Sequence, residues 1–439
     1  MTASSETLTL AKEARRGART LAASSLSERN QILSRYAQLL EENADRIFAA
    51  NAEDMASEID ENLLKRLKFD QGKLQDVLSG LKALIAMADP LSRVDLRTKL
   101  DTGLVLERVS CAIGVLAVIF EARPDALPQI AALSIKSGNA ALLKGGKEAS
   151  RTNQVLFELL KESLGTFADC FHLLAGREAV EALLKARGDV DLIIPRGSGS
   201  LVSYIQSNTQ IPVLGHAEGV CHIYIDAGAD AAKSLDVVLD AKVSYPAACN
   251  AVETLLVHED FEHGHLQSIF ERLLAEKVEL RVCPELMNRF AGTELSGKLV
   301  KAQPSDFGTE FSARILACKQ VCSLDEAIDH INKYGSGHTD AILTGNDDHW
   351  RRFFSLVDSA GVYRNCSTRF ADGFRYGFGA EVGISTGRLP PRGPVGLDGL
   401  LTYKYRLSGD GHTTAVYGHS KKFLHENLLS DRFEREWQL

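Results

Sequence analysis

The run Val115-Leu116-Ala117-Val118-Ile119-Phe120 carries no polar residue on either side of its pleat. A strand with one wet face alternates apolar and polar side chains. One that is apolar at every position is covered on both faces, as in a parallel sheet with helices above and below. The chain after it repeats that arrangement. A helix is predicted over 124–136, with Pro124 tolerated in its first turn, then a turn at Ser137-Gly138-Asn139 and a strand over 140–143. Further helices are predicted over 148–164 and 198–207, and strands over 190–194, 211–214 and 222–225. The β-α-β-α alternation from 115 to 226 predicts a doubly wound α/β domain. Ahead of it, Leu33, Tyr36, Leu39, Leu40, Ile47 and Phe48 recur at three- and four-residue spacing, so residues 6–90 read as amphipathic helices ended by Asp89-Pro90. Residues 100–110 alternate and read as strands bent at Asp101-Thr102-Gly103.

A chain of 439 residues exceeds one small core, so two or three domains are expected. The net charge of −8 gives no reason to expect nucleic acid as a partner. Eight cysteines without a CxxC or CxxH pair point to a reducing compartment, the cytoplasm. Cys318 and Cys322 have no second ligand pair near them, and His263 and His265 are either chelators or solvated loop histidines, so no metal site is expected. The N-terminus lacks a long apolar stretch, and the run 111–120 is too short to span a bilayer, so neither a targeting segment nor a membrane is expected.

Two turns are candidates for holding phosphate. Lys144-Gly145-Gly146-Lys147 directly follows a strand, and Pro195-Arg196-Gly197-Ser198-Gly199-Ser200 joins a strand to a helix. The second resembles a helix N-terminus, whose N–H groups and dipole attract anions. Neither is a GxGxxG or a Walker motif. A third stretch, 244–258, places Cys249 after a Pro-containing turn and ahead of the apolar run Leu255-Leu256-Val257, which reads as a buried strand. A thiol there is either a rigidly held nucleophile or one more small buried hydrophobe.

At Cys249 the local pattern meets a known family. The chain resembles the aldehyde dehydrogenase superfamily and, within it, the γ-glutamyl phosphate reductases. The matching stretches are Phe120-Glu-Ala-Arg-Pro-Asp-Ala126, Ile135-Lys-Ser-Gly-Asn-Ala140, Leu143-Lys-Gly-Gly-Lys-Glu-Ala149 and Ile194-Pro-Arg-Gly-Ser198. They continue through Ile211-Pro-Val-Leu-Gly-His216, Asp240-Ala-Lys242, Tyr245-Pro-Ala-Ala-Cys-Asn-Ala251 and Gly337-His-Thr-Asp-Ala341. Asn365-Cys-Ser-Thr-Arg-Phe-Ala-Asp-Gly373, Gly379-Ala-Glu-Val-Gly-Ile-Ser-Thr386 and Arg392-Gly-Pro-Val-Gly396 close the series.

The resemblance implies an α/β fold of the aldehyde dehydrogenase type. A Rossmann-type cofactor domain would cover 1–230 and a catalytic domain 231–398. Strands near 98–112 would join a tail over 399–439 in a small β oligomerisation element. Leu401, Tyr403, Tyr405 and Leu407 alternate there as an edge strand, which pairs either with another subunit or within its own chain. The implied reaction is NADPH-dependent reduction of L-glutamyl 5-phosphate to L-glutamate 5-semialdehyde, the second step of proline biosynthesis, through a thioester on Cys249. A homo-oligomer, dimer or tetramer, and a transient contact with glutamate 5-kinase are implied as well.

Implied site residues follow from the matched motifs. Lys144 matches a cofactor lysine, and Lys147 stands where NAD-type relatives carry a ribose-binding glutamate, so a second cation there suits a 2′-phosphate unless it is simply a solvated lysine. Gly197 and Ser198 would face the pyrophosphate, and Glu310 the nicotinamide ribose. Asn365, Ser367, Thr368 and Arg369 fall in the substrate loop, and Asn250 adjoins the nucleophile. Arg369 would pair with the substrate carboxylate or form a structural salt bridge, and Arg123 competes for the first role. Oxidising relatives place a water-activating glutamate where this chain has His216, in Gly215-His-Ala-Glu-Gly219. Either that base is absent, as suits a reductase, or Glu218 replaces it.

Overall fold

Among the described residues, the helices Ala3–Ala23, Leu26–Glu42, Ala44–Met55 and Gln71–Ala86 and a hairpin of β1 (Val94–Asp101) and β2 (Leu104–Ala112) precede the first parallel sheet. This computed structural model describes residues 3–56, 64, 66–216, 218–417 and 421–429. The second helix starts on a reciprocal cap, in which the Ser25 hydroxyl accepts from Glu28 N–H and the Glu28 carboxylate accepts from Ser25 N–H.

Residues 1–197, 205–213 and 396–439 make up one unit. Its parallel sheet runs β5-β4-β3-β6, from β3 (Val115–Phe120), β4 (Ala140–Lys144), β5 (Phe171–Leu173) and β6 (Leu192–Arg196). All six residues of β3 are buried, as its apolar pleat requires. The helix Ala126–Lys136 is buried on nearly every side. Its Lys136 ammonium donates to Asn30 Oδ1 at 2.9 Å and to the Met87 carbonyl at 2.8 Å, so a buried cation serves the end of the Gln71–Ala86 helix. The helix begins two residues later than expected, and Pro124 lies in the turn ahead of it. Lys147–Ala149 is a 3-10 turn leading into Ser150–Leu164. A second, antiparallel sheet runs in the order β16-β2-β1-β17, from the hairpin with β16 (Leu401–Ser408) and β17 (Glu426–Asn427). β16 pairs with β2 over eight residues, from Leu401 on Ala112 to Ser408 on Val105. Its other edge is unpaired among the described residues, and Tyr403, Tyr405 and Leu407 are exposed.

Residues 198–204 and 214–395 make up the second unit. Its sheet has seven parallel strands in the order β10-β9-β11-β8-β7-β12-β13. These are β7 (Cys221–Ile225), β8 (Val252–His258), β9 (Glu279–Val282), β10 (Val300–Lys301), β11 (Ile315–Val321), β12 (Thr339–Leu343) and β13 (Gly361–Arg364). β14 (Gly383–Ser385) and β15 (Gly393–Val395) form a small antiparallel pair. Alternate residues of the same strands feed two cores. Ile223, Leu255, Val257, Leu316 and Leu343 pack on one face, and Tyr224, Leu256, Val321 and Ile342 on the other. The predicted alternation therefore spans two sheets, because β7 pairs with β8 and β12. The expected strand over 211–214 is reduced to a single bridge between Val213 and Ile193, since Pro212 brings no N–H to a ladder. His263 opens the helix His263–Ala275 and packs against Phe290, and His265 faces Glu262, so both serve that helix's start rather than a loop.

Candidate active site

In the second unit Cys249 occupies a tight turn between the helix Ala231–Val243 and β8. The Ala251 N–H donates to the Ala248 carbonyl at 2.8 Å, which closes the turn around it. Gly219, two residues before β7, lies flat against this turn. A Cβ there would fall 2.7 Å from Cys249 Cα and closer still to its carbonyl oxygen, so only glycine permits the approach. Gly219 is itself held, because its N–H donates to Glu310 Oε2 at 2.8 Å. Glu310 thus braces the segment that braces the nucleophile turn. Cys249 is half-buried. Burial pushes the thiols of Cys111, Cys170, Cys221, Cys283, Cys318 and Cys366 upward, Cys170 to about 12, which disfavours the thiolate at each of them.

Two imidazoles stand beside the thiol. Cys249 Sγ and one nitrogen from each of His216 and His338 lie within 4.8 Å of one another. The His216 and His338 rings meet edge to face at 5.2 Å. His216 Nδ1 is 3.0 Å from the Ile384 carbonyl. Glu218, the alternative base, is exposed. His338 lies in the matched stretch Gly337-His-Thr-Asp-Ala341, and the pairing of β12 with β7 brings it to the thiol.

The loop 365–371 wraps the same turn. Thr368 Oγ1 donates to the Asn250 carbonyl at 2.7 Å, and Asn250 Nδ2 donates to the Ala371 carbonyl at 2.9 Å. Asn250 and Thr368 therefore stitch the nucleophile turn to the loop. Ser367 caps the loop's 3-10 turn by accepting from Arg369 N–H. Asn365, with φ 52°, spends both ends of its amide on the Thr344 backbone at 2.9 Å each. Arg369 lies over the Tyr245 ring, 5.8 Å from its centroid, and donates to Ser244 Oγ at 3.3 Å. No carboxylate is within ion-pair distance of it among the described residues. The structural salt bridge left open for Arg369 is thus not formed there. Burial and the neighbouring Arg375 guanidinium both weigh against its charge. Arg375, which donates to the Arg369 carbonyl at 2.6 Å, went unnoticed in the sequence because nothing local distinguishes it.

Beneath this loop runs a buried ion pair. Lys242 Nζ donates to Glu253 Oε2 at 2.6 Å with both side chains fully buried, and Glu253 Oε1 accepts from Ser312 N–H. Burial pushes the Glu253 carboxyl up to about 7 and the Lys242 ammonium down.

The two phosphate-type turns follow β4 and β6. Lys144 ends β4, and burial lowers its ammonium while Glu148 and Glu121 raise it. A Cβ on Gly145 would run into the Asn153 amide and lie 3.2 Å from the Phe120 ring, and one on Gly146 would run into the Glu148 carboxylate. Lys147 is exposed at the start of the 3-10 turn. Gly197 follows β6, and Ser198 Oγ accepts from Leu201 N–H at 3.4 Å as the helix Gly199–Asn208 begins. Cations at a strand end beside the closely packed Gly145, and a helix N-terminus, fit a nucleotide's phosphates. Arg123 is exposed in the turn after β3.

A model of the aldehyde dehydrogenase family matches residues 2–286. The γ-glutamyl phosphate reductase of Nostoc punctiforme is 47% identical over 431 residues, covering 96% of this chain and 98% of that protein. γ-Glutamyl phosphate reductase 1 of Synechocystis sp. is 50% identical over 432 residues, with coverages of 96% and 98%. The crystal structure of γ-glutamyl phosphate reductase from Thermotoga maritima matches with a TM-score of 0.89 at 35% identity, covering 93% of this chain and 99% of that one. The expected aldehyde dehydrogenase fold is therefore the observed one, and the chain belongs to the aldehyde dehydrogenase family, among its γ-glutamyl phosphate reductases.

Proposed function

We propose that this protein reduces L-glutamyl 5-phosphate to L-glutamate 5-semialdehyde and phosphate, the second step of proline biosynthesis from glutamate, in the cytoplasm. The observation that carries this reading is the setting of Cys249, a braced, half-buried thiol with two imidazoles beside it. The thiolate attacks the acyl carbonyl, the carbon–oxygen bond to phosphate breaks, and a thioester remains. NADPH, when bound, supplies the hydride that reduces this thioester. The thiohemiacetal then collapses, freeing the semialdehyde and returning the thiol. The Cys249 N–H is the natural donor to the oxyanion of each step. Arg369 pairs with the substrate carboxylate, with Arg375 adding to the local positive field, and Asn250, Asn365, Ser367 and Thr368 shape the loop that presents it. Arg123 is the rival for that carboxylate.

On the cofactor side, Lys144 and Lys147 take the adenosine ribose and its 2′-phosphate, Gly197 and Ser198 the pyrophosphate, and Glu310 the nicotinamide ribose. In this reading residues 1–230 are the NADP-binding part, 231–398 the catalytic part, and 399–439, with strands near 98–112, the oligomerisation element. The unpaired edge of β16 supports a homodimer or tetramer, since an exposed strand edge is otherwise a site of unwanted pairing. A labile acyl phosphate favours a transient contact with glutamate 5-kinase.

The test is the reverse reaction. With glutamate 5-semialdehyde and NADP⁺, steady NADPH production is expected only with phosphate, or with arsenate in its place. With neither anion, a burst equal to the number of active sites is expected. Steady production without either anion would mean that water is being activated, and Glu218→Gln would then identify the base.

A further inference from the structure

The thiol and the two imidazoles beside it have a second chemistry, one that needs no substrate. Cys249 Sγ and a nitrogen from each of His216 and His338 lie within 4.8 Å of one another. One thiolate and two imidazoles are the donor set of a zinc site with an open fourth position. The Ile384 carbonyl 3.0 Å from His216 Nδ1 can only accept, so Nδ1 carries the hydrogen and Nε2 the lone pair. A backbone carbonyl on the far nitrogen is the support that metal-ligating histidines usually have. His338 is 1% exposed. Its Nδ1 engages Thr339 Oγ1 at 2.9 Å, and its Nε2 is buried without a partner among the described residues. A buried polar atom with nothing to bond is costly, and a cation would satisfy it.

We propose that His216, Cys249 and His338 form a binding site for a thiophilic divalent cation, above all zinc, whose occupation reversibly silences the enzyme. Around zinc, nitrogen and sulfur ligands sit about 3.6 Å apart, so a set already within 4.8 Å closes by a side-chain shift of about 1 Å. Binding displaces the thiol proton to solvent and leaves a metal thiolate. A thiolate whose electron pair is held by the metal does not attack an acyl phosphate. Magnesium and calcium, which prefer oxygen ligands, do not compete.

The coordination stands on geometry alone, and only the silencing rests on the proposed role of Cys249. The full-length protein is titrated with zinc, and with cobalt(II) as a spectroscopic substitute. One cobalt per chain is expected, with a sulfur-to-cobalt charge-transfer band that Cys249→Ser lacks. Zinc is expected to protect Cys249 from iodoacetamide, read by peptide mass spectrometry, and a chelator to restore both labelling and turnover. His216→Gln and His338→Gln are each expected to weaken binding about tenfold or more, with unchanged far-UV circular dichroism. Unchanged affinity in both histidine variants, or labelling of Cys249 unaffected by zinc, overturns the site. Protection of Cys249 with turnover intact overturns the silencing and removes Cys249 from the reaction, while leaving the site in place.

Discussion

Removing the cation of the buried Lys242–Glu253 pair is expected to destabilise the second unit in a pH-dependent way. Lys242→Met keeps the volume and leaves the Glu253 carboxylate with only the Ser312 N–H. A buried charge left without compensation costs about 3–5 kcal/mol where it must stay ionised, and less here near neutral pH, because the Glu253 carboxyl can take up a proton. The sign with pH follows from the direction of the shift. Burial raises the folded carboxyl to about 7, against an ordinary value of 4.5. A raised acid contributes stability that is complete below its unfolded value and is lost as pH rises through its folded value. Lys242 is what pulls that carboxyl down, by charge and by hydrogen bond. Without it the loss continues above 7, at about 1.4 kcal/mol per pH unit. The variant should therefore be near wild type at pH 5 and furthest from it at pH 8. Adding Glu253→Gln, which still accepts from Ser312, should recover most of the deficit. The assay is equilibrium urea unfolding in a Trp437→Phe background, where Trp350 of the second unit is the sole tryptophan. A deficit below about 1 kcal/mol at pH 8, or a double variant no better than Lys242→Met, would refute the reasoning.

Other expectations concern turnover. Cys249→Ser should abolish activity and leave NADPH affinity nearly unchanged, read by fluorescence titration, since a serine hydroxyl is not ionised near neutral pH. More than about one per cent residual activity would point to another nucleophile. Lys147→Glu should weaken NADPH by about 1.5–3 kcal/mol and NADH less, and equal losses would remove Lys147 from the 2′-phosphate. Gly219→Ala should lower kcat about a hundredfold, because the new methyl can only be housed by displacing the Cys249 backbone. Wild-type kcat in that variant would show the turn to be pliable.

What the sequence made legible was local. β3 is a continuous apolar run and β8 carries the apolar run Leu255-Leu256-Val257, and both are buried strands. The Cys249 turn announced itself through its proline and small neighbours. What stayed hidden depends on contacts distant along the chain. The three residues of β5 are too few to show a period, and the helix Arg177–Lys185 that follows was likewise not foreseen. Alternation marks β7 as a strand without saying which sheet it joins. The approach of His338 to the thiol arises from pairing of parallel strands remote in sequence. Asn365 carried a motif match, yet its amide is committed to Thr344, a bond set by the left-handed backbone at that residue rather than by its neighbours. Arg369 is legible as a cation, and its lack of a carboxylate partner is a property of the folded loop.

The antiparallel sheet of the first unit has a bearing on how the molecule is made. β1 and β2 leave the ribosome early, but β16 covers the edge of β2 and β17 that of β1, both from beyond residue 396. The Asn139 side chain, fully buried, likewise waits for the Leu400 carbonyl, 2.8 Å away in the finished fold. The second unit, 214–395 in its main stretch, is therefore translated whole while the first still has an unfinished sheet. During that interval the hairpin shows two bare edges to other nascent chains. A message truncated near residue 396 would prolong the same exposure indefinitely, so its product should accumulate as aggregate rather than as a shortened enzyme.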